Sequence, residues 1–290
     1  NAALALAWLE KRDTAQPFFL RLSLNAPHTP VLAPAPYDTA IDPESIDLPI
    51  DGPDDLDLPA PVRENLVGKA GTGCLTRAQI LRLRQVYYGR VAFLDEVLRQ
   101  FLGEAAAMGA LDHTYIVFAA DHGCHLADHG FVQKQSFYEA SVRVPFLLAG
   151  PGIAPGTVRT PVSIGSILPT CLELAGIDIP QPTDFPSLAP ALRNGAEPTP
   201  EPVFSDLDFG IWGYRDGDRY AMVRDGDWKL ALFRDPQDKT RFPEDDGIML
   251  HHLADDPGER HNLASRPEHR ATLRRLLERI DAHDQALALG

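Results

Sequence analysis

Apolar positions along the chain fall into two rhythms, one of helical period and one of short unbroken runs, and their order sets out the predicted elements. Residues 2–12 (AALALAWLEKR) read as an amphipathic helix with a basic last turn, stopped before Pro17. Phe18 to Leu24 (FFLRLSL) is a mostly apolar run of buried-strand length, leading into the loop Asn25-Ala26-Pro27-His28-Thr29-Pro30. Residues 31–63 read as loop throughout. They are rich in proline and carry eight acidic residues between Asp38 and Asp57, the pattern of a solvated surface excursion. Thr76 to Met108 is the longest helical signal, with Tyr87, Val91, Leu94, Leu98 and Phe101 on one face, Thr76 as N-cap and Gly109 as stop. Thr114 to Ala120 (TYIVFAA) predicts a buried strand that ends on Asp121-His122-Gly123. Val144 to Ala149 is a second short apolar run, and Ile164 to Ala175 a helix closed by Gly176.

Strand–helix–strand alternation over residues 1–175 predicts an α/β domain with a largely parallel sheet flanked by helices. Around Asn194 to Pro202 the composition shifts to Pro, Gly and Glu, which places a boundary between domains 1–195 and 196–290. Beyond it, Val203–Leu207, Tyr220–Arg224, Trp228–Phe233 and Ile248–Leu253 are short runs split by turns such as Asp225-Gly226-Asp227. That spacing predicts a small antiparallel subdomain, closed by a helix from Pro267 to Leu289.

Composition narrows the function classes. The 290 residues are 44% hydrophobic, enough to bury a core, so whole-chain disorder is excluded. No apolar run approaches the ~20 residues that span a bilayer. A net charge of −14 without a basic block argues against nucleic-acid binding, whose affinity comes largely from phosphate neutralisation. Three scattered cysteines (Cys74, Cys124, Cys171) make neither a disulfide scaffold nor a CxxC zinc site. The chain opens on Asn1-Ala2-Ala3-Leu4 with no signal-peptide pattern, so an N-terminal part of the fold is expected elsewhere and localisation stays undetermined.

Chemistry concentrates where predicted strands end, the usual ligand position in open α/β sheets. One strand end delivers Asn25 and His28. The other delivers Asp121 and His122, then Cys124, His125, Asp128, His129 and Lys134. Asp and His together suit a divalent metal. By residues alone, Asp121/His122 also fits a helix-capping Asp beside a hydrogen-bonded loop His, and His28 and Lys134 fit ordinary loop and surface roles better than catalytic ones.

The ordered set Asp121-His122-Gly123, Leu126-x-Asp128-His129-Gly130, Lys134, Phe137-Tyr138-Glu139, Val142-Arg143-Val144-Pro145 and Ala149-Gly150-Pro151-Gly152-Ile153 resembles the sulfatases of the alkaline-phosphatase-like superfamily. Pro161-Val162-Ser163 and Leu172-x-Leu174-Ala175-Gly176 continue the match. Upstream, Pro17-Phe18-Phe19-Leu20 and Asn25-Ala26-Pro27-His28-Thr29-Pro30 resemble the family's second active-site segment. Downstream, Trp228-Lys229 and Asp255-Asp256-Pro257-Gly258-Glu259-Arg260-His261-Asn262-Leu263 resemble its C-terminal subdomain.

The resemblance implies hydrolysis of sulfate monoesters by a formylglycine nucleophile, with phosphonate monoester or phosphodiester hydrolysis as the related alternative. It implies one divalent metal, Ca²⁺ by family default and Mn²⁺ as the alternative that His122 favours. Asp121 and His122 match its second pair of metal ligands. His28 matches the histidine that hydrogen-bonds the transferred group or protonates the leaving oxygen, and Lys134 the lysine that neutralises the sulfate oxygens. A small-molecule or sugar sulfate ester is then the implied partner. The nucleophile motif C/S-x-P/A-x-R is missing: the residues four beyond Cys74, Cys124 and Cys171 are Ala78, Asp128 and Ala175. The family's first pair of Asp ligands is also missing. The expectation is therefore the C-terminal two-thirds of such an enzyme, inactive as an isolated polypeptide. The competing expectation is a catalytically inert binding protein.

Overall fold

The computed structural model of the chain describes residues 1–50, 72, 75–134, 136–208, 219–234 and 247–288. It forms two compact units interleaved in sequence. The first comprises Asn1–Leu48, Leu75–Ile116 and Leu148–Pro151, and the second Pro49–Cys74, Val117–Leu147 and Gly152–Gly290.

In the first unit, α1 (Ala2–Lys11) and α2 (Arg77–Ala107) share an apolar core of Ala5, Leu9, Phe101, Ala105 and Ala110. Residues 18–24 run extended across it. Phe18, Leu20 and Leu22 pack on the core, while Phe19 points outward and is 84% exposed. The period of two is that of a strand, yet the predicted strand is not formed. Extended backbone becomes a strand only when another pairs with it, and among the described residues none does.

The helix α2 begins where its sequence predicts. Thr76 Oγ1 accepts from the Gln79 amide and Gln79 Oε1 accepts from the Thr76 amide, a reciprocal capping box. Its buried face differs from the predicted one. Phe101 is buried as expected, but Val91 is exposed, and the N-terminal half buries Arg84, Gln85 and Gly89 instead. The reason lies in the acidic loop, whose described part is not simply solvated. Arg84 donates to the Asp47 carbonyl at 3.0 Å and Gln85 to the Ile41 carbonyl at 2.8 Å, while Arg82 pairs with Asp38. Backbone carbonyls brought under cover need donors, and a polar helix face supplies them. The acidic positions from Asp51 to Asp57 lie outside the described residues.

After α2 come β1 (Ile116–Ala119), α3 (Glu139–Val142) and β2 (Phe146–Ala149), with β1 and β2 paired in a two-stranded sheet. Next come α4 (Ile167–Leu174) and α5 (Ala189–Asn194), each closed by a left-handed glycine, Gly176 and Gly195. Then β3 (Val203–Asp208), β4 (Arg219–Asp225), β5 (Trp228–Arg234) and β6 (Ile248–His252) form the predicted antiparallel meander in the order β3-β4-β5-β6. The last helix, α6 (Arg270–Ala288), follows a 3₁₀ turn at Pro267–His269.

This four-stranded sheet positions the site, because both its faces are covered. Ala221, Val223, Leu230, Leu232, Ile248 and Leu250 pack on one side against Leu276 and Ile280 of α6. Tyr220, Met222, Ala231, Phe233 and Met249 pack on the other side against Phe131, Phe137 and Tyr138 of the long loop after β1. Strict alternation along each strand assigns one residue to each core in turn.

Gly89 gives a test of the first unit. Inside a helix, Gly→Ala ordinarily stabilises by ~1 kcal/mol. Here a Cβ on Gly89 would press into the Tyr37 backbone carbonyl, which cannot swing aside. Overpacking of this kind costs about 1–3 kcal/mol, so Gly89→Ala is expected to lower the urea and thermal midpoints. A raised midpoint would show that the 37–47 loop does not sit on α2 in this way.

Candidate active site

Asp121 and His122 stand on the loop that leaves β1, so the strand end delivers them as the sequence predicts. Asp121 Oδ1 accepts the His122 amide at 3.0 Å, an arrangement that turns Oδ2 toward the imidazole, 3.7 Å from His122 Nε2. His122 Nδ1 lies 2.9 Å from the Gly123 carbonyl. A carbonyl only accepts, so Nδ1 carries the proton and the neutral ring holds its lone pair on Nε2. Two donors each about 2.4 Å from one ion, at about 100°, lie about 3.7 Å apart. The pair therefore fits two ligand positions of a divalent cation. Among the described residues no third His, Cys, Asp or Glu joins them.

Gly123 follows because nothing larger fits. Its amide donates to the Ser141 carbonyl at 2.7 Å, and a Cβ there would run into the Ala140 carbonyl. Ser141 also holds Lys134: its hydroxyl donates to the Lys134 carbonyl at 3.0 Å. Both arms of the site in this unit, Asp121-His122 and Lys134, are thus tied to one residue of α3. The Lys134 charge also reaches Cys124. Burial pushes that thiol up, with the Leu126 amide and Lys134 opposing, and Sγ donates to the Val132 carbonyl at 3.2 Å. Burial and the hydrogen bond to the Val132 carbonyl both disfavour the thiolate, the form in which a cysteine is nucleophilic.

His28 belongs to the other unit. Arg90 of α2 holds its loop by donating to the His28 carbonyl at 3.0 Å and to the Pro30 carbonyl. His28 Nδ1 lies 2.8 Å from the Thr29 carbonyl, which puts the proton on Nδ1 here too. Cys74 lies outside the described residues.

His125 and His129, which the residue pattern left among the site candidates, belong to the core. His125 is hydrogen-bonded to the Asp128 carbonyl (3.0 Å) and to Ser136 Oγ (2.6 Å), and His129 stacks on Tyr138 with ring centroids 3.8 Å apart. The turn between them holds Leu126, Ala127 and His129 at positive φ, costly for residues other than glycine. His251 on β6 faces the same Tyr138 ring at 6.2 Å. Burial pulls all three down first of all, His125 to about 4, His129 to about 3 and His251 to about 4, and the nearby Lys229 charge adds to each shift.

The support beneath α3 was not foreseen as a unit. Glu139 Oε1 pairs with Lys229 Nζ at 3.0 Å, and Glu139 Oε2 with Arg224 at 3.1 Å. Glu259 pairs with Lys229 and accepts the Glu139 amide at 2.6 Å. Lys229 and Glu259 are each only 2% exposed. Glu139, Lys229 and Glu259 each stand in one of the sequence motifs above, but only the folded chain brings the three to one point.

The sulfatase family model matches residues 1–177, and that of the N-sulphoglucosamine sulphohydrolase C-terminal family matches residues 127–286. The chain is 32% identical over 257 residues to the choline-sulfatase of Rhizobium meliloti (strain 1021), covering 84% of this chain and 48% of the relative. It is 30% identical over 290 residues to arylsulfatase K of Xenopus laevis, covering 91% of this chain and 52% of the relative. Among solved structures, the phosphonate monoester hydrolase from Silicibacter pomeroyi superposes with a TM-score of 0.83 at 29% identity, over 99% of this chain and 60% of that one. The chain spans about half the length of the curated relatives it matches.

The three buried histidines make an acid-sensitive core. Each is neutral when folded and takes up a proton near its ordinary value of about 6.5 when unfolded. Their stabilising effect is complete above about pH 6.5 and is lost as pH falls toward the folded values of about 4 and 3. Glu259, which burial pushes up, opposes this by at most one proton. The net of two to three protons corresponds to about 3–4 kcal/mol per pH unit. Urea unfolding is expected to be flat in pH above about 7 and to approach that slope between about pH 6 and 4.5, and His251→Leu to reduce it by about one proton. A flat profile would mean the rings are not buried together.

Proposed function

The chain belongs to the sulfatase family, with the alkaline-phosphatase-like fold of its solved neighbours and an antiparallel C-terminal subdomain, and from that membership we propose that it is part of a metal-dependent sulfuric ester hydrolase. The observation that carries the reading is the Asp121/His122 pair, with Oδ2 and Nε2 3.7 Å apart and the imidazole tautomer set by a backbone carbonyl. In this reading the two residues supply part of the coordination of one divalent ion, Ca²⁺ first and Mn²⁺ as the alternative. A bound ion of that kind polarises the ester and stabilises charge on its oxygens.

The chain's own residues then divide the remaining work. Lys134 sets a cation against the oxygens over which the transferring group spreads its charge. His28 serves the leaving oxygen. Because its Nδ1 proton is committed to the Thr29 carbonyl, a proton on Nε2 exists only in the doubly protonated ring. That Nε2 proton is the one transferred to the departing alkoxide. The nucleophile is a formylglycine derived from Cys or Ser in a part of the fold outside these residues, since no cysteine here stands in its motif.

A sulfate monoester is the substrate class that the choline-sulfatase and arylsulfatase relatives support. The superposition on a phosphonate monoester hydrolase supports a second reading, a phosphonate monoester or phosphodiester, because the same cations and donors suit either anion.

Two measurements test the proposal. Ca²⁺ or Mn²⁺ titrated into the 290-residue chain is expected to shift the His122 imidazole nitrogen resonances, and Asp121→Asn to remove the effect. No shift with either ion would sink the metal assignment. In the enzyme complete with its nucleophile, His28→Ala is expected to slow sulfate esters of poor leaving groups by about 10²-fold and activated aryl sulfates much less. Equal losses would remove His28 from leaving-group protonation.

A further inference from the structure

Three stretches of sequence that the catalytic reading leaves idle meet under α3. They are Phe137-Tyr138-Glu139, Trp228-Lys229, and the turn bearing Glu259. The register of the sheet puts Arg224 of β4 directly opposite Lys229 of β5, and Lys229 opposite His251 of β6. All three point to the face that carries Met222, Ala231 and Met249, hence toward the loop after β1. Two cations side by side on a covered face repel unless a carboxylate sits between them. Glu139 is that carboxylate, with one oxygen on each. Glu259 completes the neutralisation and also receives the Glu139 amide, so the first turn of α3 is fixed by side chain and main chain together.

From α3 the constraint passes on through Ser141. Its carbonyl takes the amide of Gly123, next to His122, and its hydroxyl holds the carbonyl of Lys134. We propose that the Glu139–Lys229–Glu259 cluster and Ser141 are positioning residues: the cluster seats α3 on the C-terminal sheet, and Ser141 sets the separation between the Asp121/His122 pair and Lys134. This deepens the sulfatase reading and rests on it for the roles of those three residues. The C-terminal subdomain, which holds none of the proposed catalytic groups, thereby governs the geometry of the site.

The two contacts of Ser141 are chemically separable, and that makes the proposal testable. Ser141→Ala deletes the hydroxyl bond to Lys134 and keeps the carbonyl bond to Gly123. Lys229→Met removes the ammonium under Glu139 and Glu259 and releases both arms. Hydrogen exchange on the 290-residue chain reads position without any ligand. Ser141→Ala is expected to speed exchange at least fivefold over residues 129–134 and leave 121–124 unchanged. Lys229→Met is expected to speed both stretches. Should Lys229→Met fail to fold, Glu139→Gln, which keeps the Glu139 amide bond to Glu259, is expected to loosen both to a smaller extent.

Binding adds a readout that a purely structural role would not split. With inorganic sulfate and Ca²⁺ as probes, Ser141→Ala is expected to weaken sulfate at least fivefold with Ca²⁺ affinity unchanged. Loosening confined to residues 228–234 in Lys229→Met, or unchanged exchange at 129–134 in Ser141→Ala, overturns the positioning roles. If the unaltered chain binds neither ion, the sulfatase reading of these residues fails, while the exchange pattern still decides the clamp.

Discussion

Two cations in adjacent positions of a covered sheet face set a problem that the second unit is organised to solve. Arg224 and Lys229 face each other across β4 and β5, and Lys229 is almost wholly out of water. Leaving an ammonium there without a counter-ion would cost several kcal/mol. Glu139 and Glu259 meet that demand from opposite directions in the sequence, one ahead of the meander and one behind it. A short helix of four residues, too short to be stable alone, is held in place by this ionic contact. The buried pair is weak grounds for stability as such, since apolar residues of similar size often do as well. Its contribution is to orientation: Glu139 faces both cations with one oxygen on each.

Around that fixed point the chain packs with little tolerance. The turn through Leu126, Ala127 and His129 takes up left-handed backbone without glycine. Stacking of His129 on Tyr138 and the hydrogen bonds of His125 offset that strain. Ahead of the turn, Gly123 lets two backbones approach where any side chain would part them. The same neighbourhood explains why its histidines are weak bases. A desolvated imidazole beside an ammonium stays neutral to low pH, and those lodged between aromatic rings have no route to a substrate.

Sequence patterns read the regular parts of this fold well and the contingent parts less well. The capping box of α2, the four strands of the meander and the closing helix follow from local signals, because caps, alternation and turn residues act within a few positions. The extended run at 18–24 shows the limit. Its alternation is real, but a strand is a property of two segments, and periodicity in one says nothing of a partner. The face of α2 fails for a related reason. Apolar spacing marked Val91 as buried, whereas distant loop carbonyls drew Arg84 and Gln85 inward. Among candidate site residues, the placement of Asp121 and His122 at the end of β1 was legible in the residue pattern. The separation of His125 and His129 from them was not, since exposure depends on which side of the loop meets the sheet.

Placing chemistry and support in different surroundings has a physical logic. The Asp121 side chain is 87% exposed, so it can meet a cation from solvent. Exposure alone would leave it loosely held, because a hydrated loop has many conformations of similar energy. Lys229, 2% exposed, has the opposite character: strong local interactions, no access, and few alternatives. Hydrogen bonds through Ser141 connect the two regimes, so that rigidity gained in the covered core reaches groups that must remain in water. A site built this way can keep its ligands open to solvent and its geometry narrow together, a combination that neither a surface loop nor a buried cluster provides alone.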